Sequence, residues 1–344
     1  MRTVILTGVS GRLGQRVLAR LQADPTVEEV IGLDSRPPIA GAPKLRFHLA
    51  DLSVDDLKAI FEDGDALVHT DWPLGSPRRA DAAESDAVDR TRRVLEAAGS
   101  AGIGLIVHVS SATVYGAWPD NRVPLTEDGA LRPNPAVGFA TAHAEVERVL
   151  AEWRAEHPSA RVVVLRPPIT LGPGGTDWVT LALAPGARPV QYLAVDDLAG
   201  AIVTVLSADG DRSDDVYNVA PNGWVKDEVA ADLVGGRRLP LPDRVASRLT
   251  RALYALGLST AVPSYAPYRE HPWVVANDKL KALGWNAEAT NEEAVVASGV
   301  GSWWGRLSAK RRQAVVLGSS GAVVALATTA VVALVRARRR RRAR

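Results

Sequence analysis

The fold of this chain turns on Thr7-Gly8-Val9-Ser10-Gly11-Arg12-Leu13-Gly14. Before it stands Val4-Ile5-Leu6, an apolar run short enough for a fully buried strand. After it, Leu13, Val17, Leu18 and Leu21 recur along one helix face. A strand that turns through glycines into a helix aims backbone N–H groups at the turn, and the positive helix end adds to their pull on an anion. Gly8, Gly11 and Gly14 let the backbone turn tightly and approach a pyrophosphate with no Cβ in the way.

A second apolar run, Val30-Ile31-Gly32-Leu33, ends in Asp34, twenty residues after Gly14. A carboxylate at that distance accepts hydrogen bonds from the adenosine ribose, which favours NAD; Arg36, two residues on, keeps NADP as the alternative. The chain then alternates. Leu45–Leu49 reads as a third strand running to Asp51-Leu52, Val54–Phe61 as a helix, Ala66–His69 as a fourth strand and Ala80–Ala98 as a helix. Leu105–Ser110, the helix Ala140–Glu156 and Val162–Leu165 follow. Such alternation predicts a doubly wound parallel sheet that binds its ligand at the strands' carboxyl ends. From Arg166 onward Pro and Gly become frequent and the elements shorten, which predicts a smaller C-terminal substrate lobe.

Composition narrows the function. With no cysteine, neither a disulfide framework nor a thiolate metal site is possible, and no His/Asp/Glu spacing resembles a metal motif. The first strand begins at once, so no signal peptide is expected. The net charge of +2 hides an asymmetry: seven arginines in the last nine residues and Lys310-Arg311-Arg312 supply ten positive charges, which leaves residues 1–309 at about −8. An acidic body repels phosphate, so no nucleic acid is expected.

The chain resembles the extended short-chain dehydrogenase/reductases, the group of NAD-dependent sugar epimerases and dehydratases. The resemblance rests on TGVSGRLG at 7–14, Asp34, Asp51-Leu52, DALVH at 65–69, TRRVLEAA at 91–98 and VHVSSATVYG at 107–116. It continues through LRPPITLGPG at 165–174, YLAVDDLAGAI at 192–202, YNVA at 217–220 and DKLKALGW at 278–285. It implies a Rossmann domain over 1–165 and a substrate lobe with returning sheet elements over 166–302. It also implies a dinucleotide contacted by Gly8, Gly11, Arg12, Leu13, Gly14, Asp34, Asp51, Leu52 and His69, a small-molecule substrate, and a homodimer as one assembly to expect.

In that family a tyrosine transfers the proton, and a lysine four residues on holds the ribose and lowers the tyrosine's pKa. Aligning AEVERVL at 144–150 with the family's helix puts Phe139 at the tyrosine position and His143 at the lysine position. Phe139 has no ionisable proton. Ser111 keeps the family's serine position, with Thr113 and Tyr115 beside it, so Ser111, Thr113 and His143 are the remaining catalytic candidates. Thr70-Asp71-Trp72 replaces the small residues that usually follow the fourth strand, and Ala87 stands where an asparagine is usual. Asp196-Asp197 is expected to start a helix rather than to do chemistry.

Residues 313–335 carry no charged residue, long enough as a helix to span a hydrocarbon core. Trp303-Trp304, in the linker 303–312, suits the headgroup region, and the arginine tail 336–344 suits anionic lipid. The expectation is a membrane-tethered NAD(P)-binding protein with its body on the cytoplasmic side and a binding or sensing role. The competing readings are an active epimerase, dehydratase or oxidoreductase working on a nucleotide-linked or lipid-like substrate, and an anchor that binds no cofactor.

Overall fold

A computed structural model describes residues 2–70, 80–173, 188–208, 215–233 and 263–298, with residues 245, 248–249 and 251–252. Seven parallel strands form the central sheet: β1 (Arg2–Thr7), β2 (Val27–Asp34), β3 (Leu45–Leu49), β4 (Ala66–His69), β5 (Leu105–Val109), β6 (Arg161–Arg166) and β10 (Asp215–Asn218). Their order is β3-β2-β1-β4-β5-β6-β10. The winding reverses between β1 and β4, the place where an open parallel sheet leaves a crevice at its carboxyl edge. Register sets Thr7 level with Leu33 and His69, and His69 level with His108.

Both faces of the sheet are covered, which is why its strands read as unbroken apolar runs. On one face, Val4, Leu6 and Val68 pack with Val17, Leu18 and Leu21 of α1 (Arg12–Ala23) and with Leu198, Ile202 and Val205 of α5 (Val195–Ser207). On the other, Ile5, Leu67 and Ile106 meet Phe61 of α2 (Lys58–Phe61), Val94 and Leu95 of α3 (Ala80–Ala101), and Val146, Val149 and Leu150 of α4 (Gly138–Glu156). Each such side chain contributes about 1.5–3 kcal/mol by leaving water. Residues 1–300 form one compact unit, in which the segment after 166 returns α5 and β10 to the sheet. That segment also forms two small sheets, from β7 (Ile169–Leu171) with β9 (Tyr192–Ala194) and from β8 (Pro189–Val190) with β11 (Val225–Lys226).

One expectation changes and another gains detail. The helix expected over Val54–Phe61 shortens to Lys58–Phe61, because carboxylates compete for its backbone. Asp55 accepts from Asp51 N–H, Asp51 from Ser53 N–H and Asp56 from Lys58 N–H. Asp196-Asp197 does open α5, but Asp197 is buried and its carboxylate accepts from the backbone N–H groups of Glu288 and Ala289, which ties that distant loop to the helix. Among the described residues no helix is long and apolar enough to cross a membrane. The expected membrane helix 313–335, with Trp303-Trp304 and the arginine tail, lies outside the described residues, as do Asp71 and Trp72.

Candidate cofactor and substrate site

The glycine loop has the geometry its sequence predicts. Gly8 sits at φ +72°, where a side chain is strained, and donates its N–H to Leu33 O at 2.9 Å. Gly14 lies so close to the strand that an added Cβ would fall 2.1 Å from Gly8 O and 2.7 Å from Val9 Cα. Helix α1 starts at Arg12 with no side chain capping its first turn, which leaves the helix end to a ligand. Asp34 draws the loop towards β2: one carboxylate oxygen accepts from Ser10 N–H at 3.0 Å, the other from Arg36 N–H at 3.1 Å. The Ser10 hydroxyl donates to Arg36 O at 2.6 Å.

A cavity of about 560 Å³ opens beside the loop, lined by Gly8, Gly11, Arg12, Leu13 and Gly14 on one side and by Ser111, Thr113, Phe139 and His143 on the other. The fold thus joins the predicted phosphate cradle to the predicted reacting residues. Asp34 stands next to the cradle through Ser10. Asp51, which is exposed, and Leu52, which is buried, lie at the end of β3 away from this lining. His69 is buried between two threonines, Nδ1 lying 2.7 Å from Thr7 Oγ1 and Nε2 3.2 Å from Thr91 Oγ1. Because Thr91 donates its proton to Ala87 O, Nε2 carries the imidazole proton and Nδ1 accepts.

Ser111 and Thr113 form a linked pair. The Thr113 hydroxyl and backbone N–H both point at Ser111 Oγ, at 2.9 and 3.2 Å, as the chain turns through the short helix Ala112–Tyr115. The preceding residue anchors this turn: Ser110 donates to Glu147 Oε1, and Glu147 receives Arg166 Nη2 at 2.6 Å, with both charged side chains 6% exposed. Arg166 Nη1 continues to the Tyr115 hydroxyl at 2.7 Å, which donates to Asn218 Oδ1 at 2.9 Å. One buried network therefore holds β5, α4, β6 and β10 around the serine turn, and Tyr115 is spent in it.

Phe139 and His143 stand one turn apart on α4, ring edge to face with centroids 4.4 Å apart. Burial holds the His143 imidazole neutral, with its pKa lowered to about 3. His69 is lowered to about 4 by burial, and His108, whose ring lies 5.3 Å from that of His69, is also pushed down by burial and by its two neighbouring histidines. His143 thus supplies neither the fixed positive charge that would acidify a phenol nor, in Phe139, a phenol to acidify.

Several lining residues had no motif to announce them. Arg188, Asp227, Tyr265, Tyr268, Arg269 and Trp273 reach the cavity from short elements far apart in sequence, beside Tyr192 of the 192–202 motif. Arg188 meets Asp227 at 3.2 Å in an ion pair whose side chains are 9% and 3% exposed. Tyr268 donates its hydroxyl to Thr113 O. Only the shift to Pro- and Gly-rich sequence with shorter elements after Arg166 hinted that this segment faces a ligand. Among the described residues no group of His, Asp and Glu is placed to hold a metal.

Residues 4–220 match the NAD dependent epimerase/dehydratase family, and the chain belongs to it. An uncharacterised protein of Mycobacterium tuberculosis is 23% identical over 258 residues, covering 70% of this chain and 67% of its own length. Among solved structures, DesIV, a dTDP-glucose 4,6-dehydratase from Streptomyces venezuelae with NAD bound, superposes with a TM-score of 0.67 at 22% identity, over 86% of this chain and 95% of its own. A tyrosine-to-phenylalanine mutant of UDP-glucuronic acid 4-epimerase from Bacillus cereus, in complex with NAD and a fluorinated UDP-glucuronic acid, gives a TM-score of 0.68 at 16% identity, over 86% of this chain and 97% of its own. The likeness is one of fold.

Proposed function

We propose that the protein binds NAD at the glycine loop and a small molecule in the same cavity, without the family's tyrosine–lysine proton relay, in a binding or sensing role at a membrane. The observation that carries this reading is Phe139 paired with a buried, neutral His143 on the wall of a cavity whose other wall is an intact phosphate cradle. Bound NAD supplies a hydride acceptor. The loop N–H groups and the α1 terminus hold its pyrophosphate, and the remaining lone pairs of Asp34 receive ribose hydroxyls. The Bacillus cereus epimerase mutant is consistent with this: it carries phenylalanine for a tyrosine and is still found with NAD and a nucleotide sugar. In this reading the charge-free stretch 313–335 and its arginine tail tether the body, cytoplasmic side, to anionic lipid.

Calorimetric titration of the full chain with NAD, NADH, NADP and NADPH tests the cofactor. Binding of the NAD pair, lost in Gly11→Val, is expected; no binding by any of the four leaves only the anchor. Deleting 313–344 should release the protein from membranes, and continued pelleting would refute the tether. One observation favours a second reading, an active enzyme: Ser111 and Thr113 retain a hydrogen-bonded hydroxyl pair on the cavity wall. In that case Ser111→Ala and His143→Ala each lower a measured rate by about 10²-fold or more.

A further inference from the structure

We infer that the part of the cavity beyond the cofactor cradle is a site for an apolar organic acid, an aryl or acyl carboxylate whose carbon body lies on an aromatic wall and whose charge meets Arg188 and Arg269. The inference rests on the reading that this cavity is the cofactor cavity, and it names the second ligand.

Three observations converge. First, the wall is carbon. Phe139, Tyr265, Tyr268 and Trp273 follow one another with centroid separations of 6.0, 5.9 and 5.2 Å, a continuous run of rings lining the cavity. Second, five of the hydroxyls on the lining already donate within the protein. Thr70 donates to Thr7 O, Ser110 to Glu147, Thr113 to Ser111, Thr170 to Pro168 O and Tyr268 to Thr113 O. A sugar, with a hydroxyl on nearly every carbon, would leave those groups unmatched against rings.

Third, the cavity holds more positive charge than negative. Arg188 and Arg269 both line it, and the carboxylate among its lining residues is Asp227. Asp227 takes Arg188 Nη2, while Arg188 Nε and Nη1 are buried without a hydrogen-bond partner among the described residues. Arg269 makes no ion pair or hydrogen bond among the described residues; burial and the neighbouring Arg188 disfavour its charge, which Asp227 and the exposed Glu270 offset only in part and from a distance. A guanidinium held out of water beside a second one is costly unless an anion joins them, and a carboxylate matches the guanidinium fork.

The test titrates the full-length protein, first with NAD and then, NAD-saturated, with sodium 2-naphthoate, sodium decanoate, 2-naphthalenemethanol and UDP-glucose. Binding of a carboxylate is expected, the naphthoate and decanoate arms separating an aryl from an acyl preference, with the neutral alcohol about tenfold weaker or worse. Arg188→Met strands Asp227 and endangers folding, so the informative variant is Arg269→Met. It should weaken carboxylate binding by about tenfold or more with NAD affinity unchanged, and Arg269→Lys should restore part of the loss. The inference is overturned by UDP-glucose binding more tightly than both carboxylates, by equal binding of alcohol and naphthoate, by no effect of Arg269→Met, or by neither carboxylate binding while NAD binds. Absence of NAD binding with carboxylate binding intact removes the cofactor reading and leaves this site standing.

Discussion

The two walls of the cavity are built by different means. The cradle is backbone: three glycines, a strand end and a helix start, with Gly14 packed so closely that no other residue fits. The facing wall is side chain, from Ser111 and Thr113 through Phe139 and His143 to the rings and arginines of the later segment. A backbone site tolerates change everywhere except at its glycines, so the cradle keeps the family pattern. A side-chain site is rewritten by single substitutions that leave the fold intact, and Phe139 and His143 stand on that wall. Shared architecture is therefore good evidence for the cofactor and poor evidence for the reaction.

Breaking each wall separately sharpens this contrast. The largest effect is expected for Gly14→Val: its Cβ would overlap Gly8 O, so the protein should lose NAD binding entirely and express poorly, as judged by calorimetry and thermal unfolding. Next comes Glu147→Ala. It leaves Arg166 charged and buried and removes the acceptor of Ser110, which should cost about 3–5 kcal/mol in urea unfolding.

A smaller effect distinguishes the neutral histidines. Their folded pKa values lie below the ordinary value of 6.5, so below that pH the unfolded chain takes up protons that the native fold refuses. Their stabilisation is complete above about pH 6.5 and is lost as pH falls towards 4, by at most about 1.4 kcal/mol per pH unit for each histidine. Replacing His143 with Asn should flatten the fall in stability between pH 6.5 and 4.5 by up to that slope. An unchanged slope would mean that His143 is protonated in the native protein. The smallest effect lies outside both walls: Arg148, half-exposed between Glu145 and Glu152 on α4, should cost under about 1 kcal/mol when changed to Ala and leave NAD binding untouched.

The later half of the site could not be read in the sequence in the same way. Glycines in a turn announce themselves because they answer a local steric demand. Arg188, Asp227 and Arg269 answer a tertiary one: each is an ordinary charged residue until β8, β11 and the short helix Ala266–Glu270 bring them to one cavity. Asp197 makes the same point. Its position at a helix start was legible, but its grip on Glu288 and Ala289 was not, since those residues lie about ninety positions away in the chain.

By itself the sequence determined the parallel sheet, the phosphate cradle, the position of Asp34 at the end of β2 and the absence of an ionisable proton at Phe139, because strand periodicity, glycine sterics and side-chain chemistry are local. Only the tertiary structure decided that His143 is too buried to carry charge, that Tyr115 is consumed by Arg166 and Asn218, and that Arg188, paired with Asp227, lines one cavity with Arg269 and a run of rings. Burial and pairing are properties of which distant segments meet, and no stretch of chain carries them alone.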